Sequence, residues 1–343
     1  MAYTTINKST DNFNTKLYTG NSSTNAITGI GHQPDLVWMK NRGAGDKHYL
    51  FDAVRGVTKS IYSNLTSAEA TTSNGLTAFG TDGFTLGNEG DINGNGNNFV
   101  SWNWKAGAGA GSANTDGSIN TTSTSVNTTA GFSISKYTGN GSNPSTVGHG
   151  LGVAPKMIII KNLDQGTDWQ VYHASTGNTK GLLLNSTAAA FTSSFWGDTT
   201  PTNSVFTLGV GDVNTNNINY IAYCFAEKAG YSKFGSYTGN GNADGTFIYT
   251  GFRPAFILSK KSSGSGTSWT IWDNKRSSFN PADKILHPNN SNPDNTADDT
   301  DFLSNGFKLR ATASGMNNSG DTYIYIAFGQ SIVGSNNVPA TAR

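Results

Sequence analysis

Glutamate is nearly missing from this chain: Glu69, Glu89 and Glu227 are the only three in 343 residues. Charged side chains make up just 13%, and Gly, Asn, Ser and Thr take their place. Long helices draw on Ala, Leu, Glu, Lys and Gln, so this composition argues against a helical protein. It favours short strands joined by many turns. A single cysteine, Cys224, excludes an internal disulfide and a Cys-based zinc cluster. Its setting, "YIAYCFAE", is that of a small packed hydrophobe. No apolar stretch approaches transmembrane length, so membrane insertion is not expected. The opening "MAYTTINKSTDNF" lacks the basic region and apolar core of a signal peptide, so synthesis in a cytoplasm is expected. The net charge of +1, with Lys and Arg scattered, gives no footing for a nucleic-acid partner. The 42 glycines follow no triplet period, which excludes collagen. With 18 Phe, 13 Tyr and 7 Trp the chain can bury a sizeable core, which excludes wholesale disorder.

What is present is repetition. "YTGN" occurs at Tyr18, Tyr137 and Tyr237, and aligning on these tyrosines brings other landmarks into register. A proline opens an apolar run in each copy ("PDLVWMKN", "PKMIIIKN", "PAFILSKK"), with Lys40, Lys161 or Lys260 six residues on. "HYLFD", "WQVYH" and "WTIWD" follow, then "SIYSN", "GLLLN" and "DKILHPN", then "DGFTLG", "SVFTLG" and "NGFKLR". Each copy closes on a β-rich run: "FVSWNWKAG", "YIAYCFAEKAG" and "YIYIAFG". A unit of about a hundred residues is too long for a solenoid repeat and right for a domain. Short β-branched and aromatic runs bounded by Gly, Asn, Asp or Pro predict an all-β fold: three tandem antiparallel β-sandwiches of jelly-roll or lectin-like type. "KMIIIK", apolar on both faces, predicts a central strand.

The expected organisation is an N-terminal arm over 1–12, free or docking as an edge strand, and sandwiches over 13–107, 131–229 and 230–333. A flexible linker over 108–130 and a polar tail over 334–343 complete it. The linker has almost no large apolar residue, so the first unit is expected to be loosely tethered. The second and third, joined by "AEKAGYSKFGSYTG", are expected to pack tightly.

Chemistry is sparse. No two Glu share a strand at i, i+2, and G-x-S-x-G, HExxH and a Walker loop are all missing, so an enzyme is not expected. The histidines are His32, His48, His149, His173 and His287. His173 stands where the other copies have Asp52 and Asp273, and a catalytic role would not drift in that way; these read as polar residues at strand ends. "DINGNGN" (Asp91, Asn93, Asn95) and "DVNTNN" (Asp212, Asn214, Asn216) resemble the first half of a calcium loop. Trp102 and Tyr223 occupy the position of its bidentate glutamate, and Asn and Gly are equally what a tight hairpin wants. Calcium is thus the one candidate cofactor. Most tryptophans lie in repeated strands and read as core. Trp196, in "SSFWGDTTPTN", reads as an exposed loop aromatic that could stack on a sugar, with Asp198 beside it. Asn289 and Asn290, in the second polar loop "HPNNSNPDNTADDTD", complete the candidate glycan contacts.

These ordered motifs, from "YTGNG…GLGVAPKMIIIKN…WQVYH" through "VFTLG…YIAYCFAEKAG" to "DFLSNGFKLR…YIYIAFG", closely resemble tail-fibre-like and other virion structural proteins of marine bacteriophages. The opening "GHQPDLVWMKNR…LTAFGTDGFTLGN…FVSWNWKAG" resembles the start of proteins of the same group. The resemblance implies a non-enzymatic virion component contacting the host surface or its glycans, or a head-decoration protein. A further alternative is a stand-alone carbohydrate-binding module. It implies partners among other virion proteins and a homotrimer or other homo-oligomer. The coiled-coil stalk and collagen-like shaft of longer fibre relatives are not found in this chain.

Overall fold

A computed structural model describes residues 4–331; the expected tail, 334–343, and the first three residues of the arm lie outside the described residues. The fold is all-β. The first repeat holds β1 (Phe13–Thr19), β2 (Asn25–Thr28), β3 (Leu36–Asn41), β4 (Tyr49–Asp52) and β5 (Lys59–Tyr62). It continues with β6 (Ala70–Thr71), β7 (Leu76–Gly80), β8 (Gly83–Leu86), the helical turn α1 (Gly90–Asn93) and β9 (Asn98–Trp104). The second holds β10 (Ser123–Asn127), β11 (Phe132–Thr138), β12 (Ser145–Gly148), β13 (Met157–Asn162) and β14 (Gln170–His173). β15 (Lys180–Leu183), β16 (Phe191–Thr192), β17 (Val205–Leu208) and β18 (Asn219–Phe225) complete it. The third holds β19 (Ser232–Thr238), β20 (Phe247–Tyr249), β21 (Phe252–Lys261) and β22 (Thr270–Asp273). Then come β23 (Ala282–Ile285), β24 (Asn295–Leu303), β25 (Gly306–Leu309) and β26 (Thr322–Ser331).

One plan recurs. The strand carrying the YTGN tyrosine pairs with the last, and the last with the strand at the proline-led apolar run: β1-β9-β3-β4-β5-β6, β10-β11-β18-β13-β14-β15-β16 and β19-β26-β21-β22. A smaller sheet covers one face of each: β2-β8-β7, β12-β17 and β20-β25-β24-β23. Alternation sorts side chains between two cores, because successive residues of a strand point to opposite faces. In β3, Val37 and Met39 pack against Ile27, Phe84 and Leu86 of the small sheet. Leu36 and Trp38 point the other way, into a core built by all three repeats. β13 divides in the same manner, with Ile158 and Ile160 inward and Met157 and Ile159 in the shared core. β21 does so with Ile257 against Phe256 and Leu258. Both-face hydrophobicity in these runs therefore has two sources: the sandwich, and the packing of the three large sheets on one another.

The shared core corrects the expectation of a loosely tethered first unit. Trp38, Trp102 and Trp104 of that unit are buried in it, and Trp104 meets Phe225 of the second repeat and Phe256 of the third edge-to-face at 6.3 and 5.6 Å. The reading of 108–130 as a flexible linker is corrected as well. Its end forms β10, which adds to the edge of β11, and Ile119 is buried beside Val147. The Asp35 carboxylate accepts from the N–H groups of Ala106, Ala108 and Gly109 at 2.7, 3.0 and 2.8 Å, tying the segment's start to the first repeat. Thr124 shares hydroxyl bonds with Thr121 at 2.9 Å and Ser135 at 3.1 Å. Hydrogen bonds order this stretch where large apolar side chains are lacking. Of the arm, Ile6 is buried in the shared core, and Gln330 of β26 accepts from Ser9 N–H and donates to the Asn7 carbonyl. The arm therefore docks on the last strand of the chain.

Candidate functional site

The repeated motif comes first, because its three copies share one geometry. The tyrosine hydroxyl of Tyr18, Tyr137 and Tyr237 donates to the carbonyl of Ile92, Val213 and Met316 at 2.8, 2.7 and 2.9 Å. The residue after each carbonyl is an asparagine: Asn93, Asn214 or Asn317. Its Oδ1 accepts from the backbone N–H of Asn21, Asn140 or Asn240, the last residue of YTGN, at 3.1, 3.0 and 2.9 Å. Its Nδ2 donates back to that residue's Oδ1 and to a loop carbonyl of Ser23, Ser142 or Asn242. The glycine between is required by close approach. A Cβ on Gly20, Gly139 or Gly239 would stand 2.2–2.3 Å from the carbonyl of Gly94, Thr215 or Asn318. YTGN is a lock between the first and last strands of each sandwich.

That geometry engages two of the asparagines in the calcium-like loops. Asn93 and Asn214, candidate ligands by sequence, spend their amides on the lock. Asp91 pairs with Lys47 and accepts from the Tyr49 hydroxyl at 3.0 Å. "DINGNGN" folds as the α1 turn, not a hairpin. Asn95 is exposed and Asn216 is exposed beside Gly141, while Asp212 is half-buried. Among the described residues no three His, Cys, Asp or Glu side chains come together as a metal site. Replacing Asn214 by Ala should cost about 2–3 kcal/mol, because the loop groups it satisfies lose their partner. Thermal unfolding should show that loss, and adding calcium or a chelator to the unaltered protein should leave its midpoint unmoved.

The candidate glycan residues separate. Trp196 is 1% exposed, which corrects its reading as an exposed aromatic. It packs edge-to-face on Tyr172 at 5.6 Å and donates its Nε1–H to the Lys180 carbonyl at 3.0 Å. The second repeat has no strand equivalent to β7, so the loop there plugs its own core with this ring. Asn289 accepts from Trp269 N–H at 2.9 Å, as Asn64 does from His48 N–H and Asn185 from Trp169 N–H. It is the third copy of a second repeated lock, with its Oδ1 engaged by the backbone. Asn290 closes a turn by accepting from Asn292 N–H. Asp198 alone is exposed on a cleft. That cleft, about 530 Å³, is lined by Thr179, Phe191, Thr192, Ser193, Ser194, Phe195 and Asp198. The two phenylalanines went unnoticed in the sequence, yet a signal was there: "KGLLLN" places Gly181 where "KSIYSN" has Ser60. A second cleft, about 300 Å³, lies between the first and third repeats. Its charged groups, Arg42 and Asp294, neutralise each other at 2.7 Å.

A further set of polar groups lies between repeats and forms a closed ring. Trp102 Nε1–H donates to Asp273 at 3.1 Å, linking the first repeat to the third. Tyr223, at the equivalent place in the second, donates to Asp52 of the first at 2.7 Å. In the third contact His173 of the second repeat donates from Nε2 to the Tyr325 carbonyl at 3.2 Å. Three backbone bonds follow the same cycle, from Glu69 N–H to Leu163, Ala190 N–H to Ser262 and Asp294 N–H to Arg42. The lysines after the proline join in: Lys161 Nζ reaches the Thr66 carbonyl and Lys260 Nζ the Thr187 carbonyl, each in another repeat. Burial lowers Lys40, Lys161 and Lys260 to about 8. The same pair of surfaces meets three times and closes, which is the logic of a threefold assembly written in one chain.

Charge in the ring comes as a set. Asp52 holds Arg55, which also reaches Glu69, and Asp273 holds Arg276, which also reaches Asp294. The second repeat has His173, Thr176 and Ala190 at these places, all neutral. Burial pushes the Asp273 carboxyl up, and Arg276 outweighs it and holds the group below its ordinary range. Burial drops His173 to about 4. Its Nδ1 accepts from Ser175 N–H while Nε2 donates, so the neutral tautomer is the one that fits. Cys224 is buried with its thiol raised by burial, which leaves it inert.

No curated protein and no solved structure matches the chain. A family profile does, over residues 8–331, and that span takes in the described strands of all three repeats. The chain belongs to the family described as Domain of unknown function (DUF7483).

Proposed function

We propose that this chain is a non-enzymatic structural component of a bacteriophage particle, of the tail-fibre or spike type, that contacts the host surface. One observation carries most weight. The polar residues that recur in the repeats are spent on structure: the YTGN locks close each sandwich, and the buried Asp, His and Lys ring holds the repeats together. Recognition is left to loops that differ between repeats, as loops on a rigid scaffold commonly serve. A closed core stabilised without disulfides suits a protein that must persist outside a cell, and the motif resemblance to marine phage virion proteins agrees.

A head-decoration role is the alternative. It would lend the N-terminal arm to a neighbour, whereas Ile6 and Ser9 are engaged by the chain's own core and Gln330. We also infer that one chain is the working unit, because its repeats already occupy the places three subunits would take. Light scattering on the purified protein should return the mass of a single chain, 36.1 kDa. Gel analysis of purified particles followed by immunogold labelling tests the main reading. Label at the tail supports it, label over the head supports the alternative, and absence from particles removes both.

A further inference from the structure

We propose that the cleft of the second repeat binds a neutral sugar residue of a surface glycan. The biological sense of this rests on the host-contact reading above, while the binding itself can be tested apart from it. A pyranose has an apolar C–H face and a rim of hydroxyls, so its site needs aromatic surface flanked by a few placed polar groups. Phe191 and Phe195 meet at right angles, ring centroids 6.1 Å apart, and both are half-buried at the cleft wall. Ser193, Ser194 and Asp198 line the cleft with them. A carboxylate can accept from two adjacent sugar hydroxyls, in bonds stronger than neutral ones.

The second repeat alone is built for this. Phe191 lies across from Gly181 in the ladder, where the first repeat pairs Ala70 with Ser60 and the third pairs Asn295 with Ile285. A Cβ on Gly181 would sit 3.1 Å from Phe191 Cζ and 3.2 Å from Phe195 Cδ2. One on Gly211 would sit 2.9 Å from Phe195 Cε1. Two missing side chains thus make room for two rings, where covering a bare glycine would take only one.

The polar side is held in advance. Asn178 Nδ2 donates to the Asp198 carbonyl at 2.9 Å and to Thr200 Oγ1 at 3.2 Å, and Asp198 takes a left-handed φ of 49°. Trp196 anchors the loop from beneath. The Asp198 carboxylate accepts no hydrogen bond from any described residue. Lys180, the residue before Gly181, is taken up by Thr192 Oγ1 at 2.9 Å, and Asp198 forms no salt bridge among the described residues. Pre-organisation lowers the ordering cost of binding, and the free Asp198 charge selects a neutral sugar over an acidic one.

Saturation-transfer NMR on the full chain, with the methyl glycosides of glucose, galactose, mannose and N-acetylglucosamine offered singly, tests the assignment. Transfer to at least one is expected, with Phe191→Ala abolishing it. Asp198→Asn, which tolerates the left-handed backbone, should weaken it about tenfold without moving the thermal midpoint. Tyr249→Ala, which removes an exposed aromatic of the third repeat, should change nothing. Transfer to none of the four, or equal transfer with Phe191→Ala and Asp198→Asn, overturns the inference. A protein found on particles but silent toward all four glycosides would sink the cleft alone. One that binds a glycoside yet never appears on particles would sink the virion reading alone.

Discussion

An Asp52→Ala variant is expected to lose about 3–5 kcal/mol of stability, the cost of breaking a buried ion pair from one side. Asp52 Oδ1 accepts from Arg55 N–H, while Oδ2 takes Arg55 Nε–H at 2.5 Å and the Tyr223 hydroxyl of the next repeat at 2.7 Å. Its removal strands a fully buried guanidinium with only Glu69 as counter-charge, and leaves the Tyr223 hydroxyl without an acceptor. The second repeat shows how to remove charge without this penalty, since His173, Thr176 and Ala190 replace the whole set. Asp52→His combined with Arg55→Thr and Glu69→Ala should therefore cost less than Asp52→Ala alone. Denaturant titration of the two variants decides it, and a triple variant less stable than the single one would refute the reading of these residues as a set.

Acid should loosen the protein before its carboxylates titrate. His173 is protonated near pH 4 in the folded chain and near 6.5 when unfolded. Because the folded value is the lower one, the unfolded chain takes up the proton first as pH falls. The stability tied to neutral His173 is complete above pH 6.5 and is lost across the window down to about 4, a total of about 3 kcal/mol. His48, buried beside Trp38 and Trp102, is also lowered well below its ordinary range by burial and acts in the same direction. Asp273 acts in the same direction further down the scale: its depressed carboxyl stabilises at higher pH, and that stability is lost only as pH falls through the acid end. Unfolding midpoints between pH 7 and 4.5 should fall steeply, and His173→Gln should flatten the slope. An unchanged slope would show that His173 is not the group responsible.

Much of the architecture was legible because it is local. Strand chemistry, turn residues and motif spacing are short-range, and tripled landmarks made the repeats visible. The lysine six residues past each proline was visible too, though the carbonyls that Lys161 and Lys260 reach in neighbouring repeats were not. The meaning of both-face hydrophobicity in "KMIIIK" was only half readable. A strand buried twice announces a second surface, but not that two other repeats of the same chain supply it. Residues 108–130 looked like a linker because Thr121, Thr124, Ser125 and Ile119 are small or isolated, yet the structure buries all four. Trp196 misled for the converse reason: Gly, Asp, Pro and Asn around it signal a loop, and nothing local says that this loop stands in for a strand. The sugar-sized cleft was the least legible feature, since it depends on a glycine and two phenylalanines brought together by pairing across β15 and β16.

The central claim is that three β-repeats form one cooperative body through the ring and the core they share. Differential scanning calorimetry of the full chain tests it most directly. The shared core predicts a single transition whose calorimetric enthalpy equals its van't Hoff enthalpy. Two or three resolved transitions, or a calorimetric enthalpy about three times the van't Hoff value, would contradict it.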